Sequence, residues 1–148
     1  MPVLFETVQH LAVPLKEVWS FFADPNNLKR LMPPSMNVHL VSEPPHMMER
    51  GVVMTVGVRV FGIPSSWVVE IEAWHPPHGF TDVQSGGLFS YWKHQHQFHE
   101  VDGVTEIKDT IRFQLPWLLR LFHPIVVWQM KRLFAYRQAA LRSIFNAS

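Results

Sequence analysis

The 148-residue chain contains no cysteine, which excludes disulfide bonds, thiol catalysis and cysteine-based zinc sites. It also lacks an excess of charge of one sign. Thirteen Lys and Arg residues stand against 12 Asp and Glu residues, and the net charge is +1 with neutral histidines. Nucleic-acid binding needs a concentrated basic face, so we expect no nucleic-acid partner.

Long hydrophobic runs are missing as well. A membrane-spanning helix needs about 20 consecutive apolar residues, and the nearest candidate, residues 116–128, is interrupted by Arg120, His123 and Pro124. The first residues do not combine a basic segment with a long apolar run, as a secretory signal would. We therefore expect a soluble, cytoplasmic protein without a membrane span.

The chain is rich in apolar and aromatic side chains. Hydrophobic residues make up 47% of it, with 11 Phe and 6 Trp, which is enough to build a substantial core. Its length suits one domain of ordinary size. No repeat and no linker divides it, so we predict a single domain over residues 1–148.

Apolar periodicity predicts a strand, two short helices, about six further strands and one long helix. The first helix follows Pro14, and the second starts with Asp24 as N-cap and Pro25 inside it, ending at Pro33 and Pro34. The strands are predicted at residues 3–13, 36–41, 51–61, 65–74, 79–84, 88–99 and 104–115, and the long helix at 118–145.

Short turns connect the later strands. Gly62-Ile63-Pro64, Ser85-Gly86-Gly87 and Asp102-Gly103 are typical of tight connections, and long strands joined in this way favour an antiparallel meander. We predict an α+β fold in which a curved antiparallel sheet of six to seven strands wraps around the long C-terminal helix. The sheet and the helix then bury one common core.

Several segments carry a family resemblance. They are Val18-Trp19-Ser20-Phe21-Phe22, Asp24-Pro25-Asn26-Asn27-Leu28, Leu31-Met32-Pro33-Pro34, Gly62-Ile63-Pro64 with Trp67, Phe80-Thr81-Asp82, Trp92-Lys93-His94-Gln95-His96-Gln97-Phe98, Asp109 and Tyr136-Arg137. With them the chain resembles the START-like, or SRPBCC, superfamily of helix-grip proteins. Within it, the chain is similar to the polyketide cyclase/dehydrase and lipid-transport group and to a bacterial ligand-binding subfamily. The resemblance implies a helix-grip fold over nearly the whole chain.

Polar residues occupy positions that the pattern assigns to the interior. With a period of two, His94 and His96 fall on the same side of their strand as Trp92 and Phe98. By the same reasoning Asp82 follows inward Phe80, and Asp109 lies in register with Ile107, Ile111 and Phe113. Arg137 falls inside the apolar arc of the final helix. Unpaired buried polar groups cost about 1–3 kcal/mol each, so these five residues need partners.

These residues suggest a binding site for a small hydrophobic molecule, such as a lipid, a polyketide-like compound or an aromatic metabolite. Trp67, Phe80, Trp92 and Phe113 would supply apolar walls. The polar anchor would consist of Asp82, His94, His96, Asp109 and Arg137. We expect no cofactor and no metal, because the residues lack a recognised metal-ligand spacing.

Other interpretations stay open. The five polar groups could satisfy only one another, with Arg137 either in a buried pair or at a cavity mouth. The protein could be a cyclase, dehydratase or hydrolase with His94 or His96 as acid–base. It could also be a structural or partner-binding domain without a ligand.

The segment Pro116–Phe122 is apolar on nearly all sides. This favours burial under the rim of the sheet. A homodimer contact or a hydrophobic gate for ligand entry are the alternatives.

Overall fold

The computed structural model describes residues 1–60 and 62–146. Seven strands form one antiparallel sheet, in the order β1-β7-β6-β5-β4-β3-β2. Their bounds are β1 (Val3–Leu11), β2 (His39–Leu40), β3 (Val53–Val60), β4 (Ile63–His75), β5 (Gly79–Ser85), β6 (Tyr91–Val101) and β7 (Val104–Gln114). Neighbours from β3 to β7 are consecutive in the chain and joined by short turns, whereas β1 pairs with β7.

Helical segments cover one face of this sheet. They are α1 (Leu15–Phe22), three 3₁₀ helices (Pro25–Leu31, Pro34–Met36 and Trp117–Phe122) and α2 (His123–Phe145). Asp24 caps the first 3₁₀ helix as predicted, since its carboxylate accepts a hydrogen bond from the Asn26 amide at 3.0 Å. The α+β helix-grip architecture is confirmed: a curved antiparallel sheet grips a long C-terminal helix, with short helices after the first strand.

The core has three parts, and α2 contributes to two of them. Near its C-terminus, Leu141 packs with Leu11, Val18 and Ile107. Towards its N-terminus the helix packs on β1 and β7 through another cluster, made of Phe5, Ile111, Phe113, Leu115, Val126, Met130 and Phe134. The third cluster lies on β3 and β4 and contains no α2 residue; it is formed by Val38, Val56, Val58 and Val69. The helix therefore leaves space above this half of the sheet.

Several predicted boundaries were wrong. The strand at 36–41 is reduced to His39–Leu40, because the prolines start a 3₁₀ helix that ends at Asn37 in the left-handed conformation (φ 47°). The second short helix is 3₁₀, not α. The sixth predicted strand begins at Tyr91, after the Gly86-Gly87 turn and Leu88, and extends to Val101. Pro64, assigned to a turn, lies inside β4.

The predicted C-terminal helix is two elements. Residues 117–122 form a 3₁₀ helix, and α2 begins at His123 with Pro124 in its first turn. The predicted burial of Pro116–Phe122 is wrong, because within this segment only Leu119 is partly buried. Phe122, at the end of this segment, is 50% exposed.

Some predictions extend beyond the described residues. Phe61, the last residue of the predicted strand 51–61, lies outside them, as do Ala147 and Ser148 at the end of the predicted domain. Among the residues that are described, no helix has both the length and the apolar character needed to cross a membrane.

Candidate functional site

A cavity of about 180 Å³ lies between the sheet and the helical segments. Strands β2 to β6 form its floor, and α1, the 3₁₀ helix Pro25–Leu31 and α2 form its cover. Most lining side chains are apolar, including Leu28, Met54, Val56, Val69 and Ile71. The cavity occupies the space that α2 leaves above β3 and β4, so it is a consequence of how the helix packs.

Seven of the nine predicted site residues line this cavity. They are Trp67, Phe80, Asp82, Trp92, His94, His96 and Arg137. The other two lie behind the lining: Asp109 is buried below the imidazoles, and Phe113 packs in the core with Phe134. Both point inward on β7, but α2 covers this part of the sheet.

The sequence reasoning missed several lining residues. Gln84 is one, although it follows Phe80 and Asp82 at the same period of two. Three others, Met130, Leu133 and Phe134, come from α2 and lie one or two turns before Arg137. Helical spacing marks Met130 and Leu133 as buried, but no signal in the sequence distinguishes a cavity wall from a packed core.

The register of the central strands brings the polar residues together. His94 on β6 is paired with Asp82 on β5, and His96 is paired with Asp109 on β7. Side chains at paired and diagonal positions on one face of a sheet lie within contact distance. Two carboxylates therefore flank two imidazoles on the cavity side of the sheet, and all four side chains are buried.

The short hydrogen bonds are diagonal ones. His94 Nε2 lies 2.7 Å from Asp109 Oδ1, and His96 Nε2 lies 2.7 Å from Asp82 Oδ2. The directly paired groups are farther apart, with His96 Nδ1 at 3.3 Å from Asp109 Oδ1 and His94 Nδ1 at 4.0 Å from Asp82 Oδ2. The 3.3 Å contact is not aligned for a hydrogen bond, so it acts as an electrostatic attraction.

Arg137 completes the cluster from α2. Its Nη2 donates to Asp109 Oδ1 at 3.3 Å, and its side chain is only 9% exposed. The guanidinium also lies over two aromatic rings, 5.3 Å from the centroid of Phe22 and 5.2 Å from that of Phe134. Cation–π attraction of this kind strengthens when the cation is desolvated. Arg137 is thus a buried ion-pair partner, which was one of its two predicted placements.

The two imidazoles are stacked but differ in ionisation. Their ring centroids lie 3.7 Å apart at 25°, and Phe80 stacks on the other face of His96 at 4.0 Å. Burial, and then repulsion from charged His96, lower the pKa of His94 to about 4. Burial also lowers the pKa of His96, but Asp109 and Asp82 together outweigh it and raise the pKa above 6.5. At neutral pH His94 is therefore neutral, and a proton shared by the pair is favoured on His96.

The charges of the cluster balance. Burial raises the pKa of Asp109, but Arg137 and the two imidazoles hold it well below its usual value. When His96 holds the proton, two carboxylates, Asp82 and Asp109, face one guanidinium and one imidazolium, with His94 uncharged. Buried charges are tolerated when they are paired and hydrogen-bonded in this way.

Some hydrogen-bonding capacity remains unused. His94 Nε2 donates to Asp109, so its unprotonated Nδ1 is an acceptor that makes no hydrogen bond to the described part of the chain. Of the Arg137 nitrogens, only Nη2 has an acceptor among residues 1–60 and 62–146. Because His94 and Arg137 both line the cavity, it offers one acceptor and several donors beside an apolar space.

Asp82, His94 and His96 also bring potential metal-ligand atoms within 4.8 Å of one another. A metal ion lies in the plane of each imidazole that binds it, at about 2.0–2.1 Å from nitrogen. Two rings stacked at 3.7 Å and 25° cannot both direct a nitrogen lone pair at one ion in this way. The arrangement therefore suits a hydrogen-bonded network better than a metal site.

The family model described as polyketide cyclase / dehydrase and lipid transport matches residues 2–145. The chain therefore belongs to this family, and its resemblance to the START-like superfamily is confirmed. A search of the curated proteins found no match.

Solved structures show the same fold. A START superfamily protein from Mycobacterium smegmatis is 9% identical, with a TM-score of 0.74 over 95% of this chain and 94% of that one. Protein Ms6760 from the same organism is 21% identical, with a TM-score of 0.72 over 97% and 90%. A protein from Arthrobacter aurescens is 14% identical, with a TM-score of 0.75 over 95% and 86%. At these identities the likeness establishes the fold alone.

Proposed function

We propose that this protein binds a small hydrophobic molecule in the cavity between the sheet and α2. One observation carries the proposal: an apolar space of about 180 Å³ adjoins a polar cluster that retains unused hydrogen-bonding groups. Small-molecule sites typically combine mostly hydrophobic walls with a few placed polar groups. Membership of a family described by cyclase, dehydrase and lipid-transport roles supports the same conclusion.

The size of the cavity narrows the class of ligand. An apolar protein cavity of about 150 Å³ is sufficient to bind benzene. A volume of about 180 Å³ suits a single aromatic ring with short substituents, or an aliphatic segment of similar bulk. Among lipid, polyketide-like and aromatic ligands, we therefore favour a one-ring aromatic molecule or the ring end of a longer one.

The polar cluster further narrows the class of ligand that the cavity suits. Because its charges balance, an ionised ligand group would leave a buried charge without a counterion, which is costly. A neutral hydroxyl group can instead donate to His94 Nδ1 and accept from Arg137, the groups that the described residues leave without a partner. The best-supported ligand is therefore neutral and carries a hydroxyl or a comparable group at one end.

Isothermal titration with p-cresol and toluene tests this proposal, since the two molecules differ by one hydroxyl group. We expect both to bind and p-cresol to bind about three- to tenfold more tightly, the effect of one net hydrogen bond. If neither molecule binds, the proposed ligand-binding function is contradicted. Equal binding would retain the cavity site but contradict the hydroxyl anchor.

A matched pair of variants checks the location. Val69→Trp places a large side chain in the cavity, whereas Val68, the preceding residue, points to the exposed face of the sheet. We expect Val69→Trp to abolish p-cresol binding and Val68→Trp to leave it unchanged. Equal affinity in both variants would place the site elsewhere.

The acid–base alternative has weaker support. A general base works best when its pKa is near the working pH, whereas the pKa of His94 is lowered to about 4. Both nitrogens of His96 lie near carboxylates. The arrangement is therefore better suited to orienting a ligand than to transferring protons at neutral pH.

A further inference from the structure

A surface on the opposite side of α2 from the core is unusually apolar. The 3₁₀ helix Trp117–Phe122 and the first turns of α2 present large side chains to solvent: Trp117, Leu118, Leu121, Phe122, Ile125 and Trp128. Trp117 is 73% exposed and Leu121 is 90% exposed. Contiguous apolar surface of this kind marks a contact with a protein or a membrane.

The charged side chains that the 3₁₀ helix Trp117–Phe122 and α2 carry have one sign. Arg120, Lys131 and Arg132 are exposed beside it, and the sequence contains no Asp or Glu after Asp109. The Arg132 guanidinium lies 4.9 Å from the Trp128 ring centroid, so charge and apolar surface are contiguous. We call these three cations and the six apolar residues the basic apolar surface.

The sign of this charge decides between partners. In a symmetric dimer formed through the surface, the same cations of two copies would be brought together, and like charges in an interface are unfavourable. An anionic lipid bilayer matches both the apolar side chains and the cations of this surface. Trp, Phe and Leu insert at the boundary of headgroups and acyl chains, while Arg and Lys contact the headgroups. Side chains that project as far as Leu121 enter a fluid layer without needing a preformed pocket.

We propose that the basic apolar surface docks this protein on anionic lipid bilayers. The proposal does not depend on the ligand cavity. It does place that cavity near the membrane, since α2 carries Trp128 on the docking surface and Met130 in the cavity wall, two residues further along. Docking therefore holds an apolar binding site close to a reservoir of apolar molecules.

Vesicle flotation tests this proposal with the full chain. We expect the protein to float with phosphatidylcholine vesicles that contain phosphatidylglycerol and to bind pure phosphatidylcholine at least tenfold more weakly. Tryptophan fluorescence should shift to the blue on binding, because Trp117 and Trp128 leave water. Removing one cation with Arg132→Gln should weaken binding about fivefold at low salt.

Two double variants test whether vesicle binding depends on this surface or on exposed apolar side chains in general. Trp117→Ser with Leu121→Ser should reduce anionic-vesicle binding at least tenfold. Leu4→Ser with Val8→Ser removes two exposed apolar side chains from β1 and should bind as the unmodified protein does. Circular dichroism checks that both variants are folded.

Three results would overturn the proposal. One is failure of the folded, unmodified protein to bind anionic vesicles. Another is binding that is equal in the two double variants. The third is a concentration-dependent dimer that Trp117→Ser with Leu121→Ser dissociates, since it would assign the surface to a second copy of the chain.

Discussion

At the residue scale, the decisive feature is that two neighbouring histidines on one face of one strand have pKa values shifted in opposite directions. His94 and His96 stack on each other, and two stacked imidazolium rings would repel. His96 has carboxylates near both nitrogens, whereas His94 has one carboxylate within hydrogen-bonding distance. A proton is therefore favoured on His96, and the neutral His94 keeps an acceptor, which is the group that the proposed ligand would use.

This difference predicts a pH dependence of stability. The pKa of His94 is about 4 in the folded protein, against an ordinary value of 6.5 that we take for the unfolded chain. Between these pH values the unfolded chain therefore binds a proton that the folded protein does not. The free energy of unfolding should fall by about 3 kcal/mol as the pH drops through this window. In His94→Gln, urea unfolding at several pH values should show a flatter profile between pH 6.5 and 4.

His96→Gln is the control variant, because the pKa shift of His96 has the opposite sign to that of His94. Because the pKa of His96 is raised on folding, its contribution is complete below pH 6.5 and is lost as the pH rises through the folded pKa. His96→Gln should remove this alkaline loss and keep an acid-side decline. An unchanged acid-side slope in His94→Gln would contradict the assignment of the neutral histidine.

At the scale of elements, α2 is fixed to the sheet by polar contacts at consecutive positions. Arg137 pairs with Asp109 on β7. The Gln138 side chain donates to Thr7 Oγ1 on β1 at 2.9 Å, and the main-chain carbonyl of Gln138 accepts from Gln9 Nε2 at 2.8 Å. These contacts hold the helix over β1 and β7, and so they help to keep it away from β3 and β4, where the cavity lies.

The ion pair within this anchor predicts a large loss of stability on mutation. Arg137→Met leaves Asp109 buried without its guanidinium, which should lower the free energy of unfolding by about 3–5 kcal/mol. Arg142→Met provides a control on the same helix, because Arg142 is exposed and should change stability by less than about 1 kcal/mol. Chemical denaturation of both variants measures the difference. Equal losses would show that the buried pair has no special role.

The elements also show what a sequence can predict. Periods of two and of 3.6 located the long strands and the helix, because they depend on which face is buried. The segment 117–122 was misplaced because every turn of it is apolar, and apolar character alone does not distinguish burial from exposure. The strand at 36–41 was overextended because Pro34 and Asn37 impose local helical and left-handed conformations.

At the scale of the whole molecule, the cavity reflects an unequal distribution of packing. Phe113 and Asp109 carry the same inward signal as Phe80 and Asp82, yet α2 covers the first pair and leaves the second pair facing space. The position of a helix over a sheet depends on long-range contacts, and these are not encoded in strand periodicity. The sequence therefore predicted the polar cluster as a set, but not which members line the cavity.

The most direct test of the binding account is a crystal structure of the protein soaked with p-cresol. We predict electron density for the ring among Trp67, Met54 and Val69, with the hydroxyl oxygen within hydrogen-bonding distance of His94 Nδ1. Displaced helices and a cavity filled by side chains would contradict the account, and so would a ring bound outside the cavity.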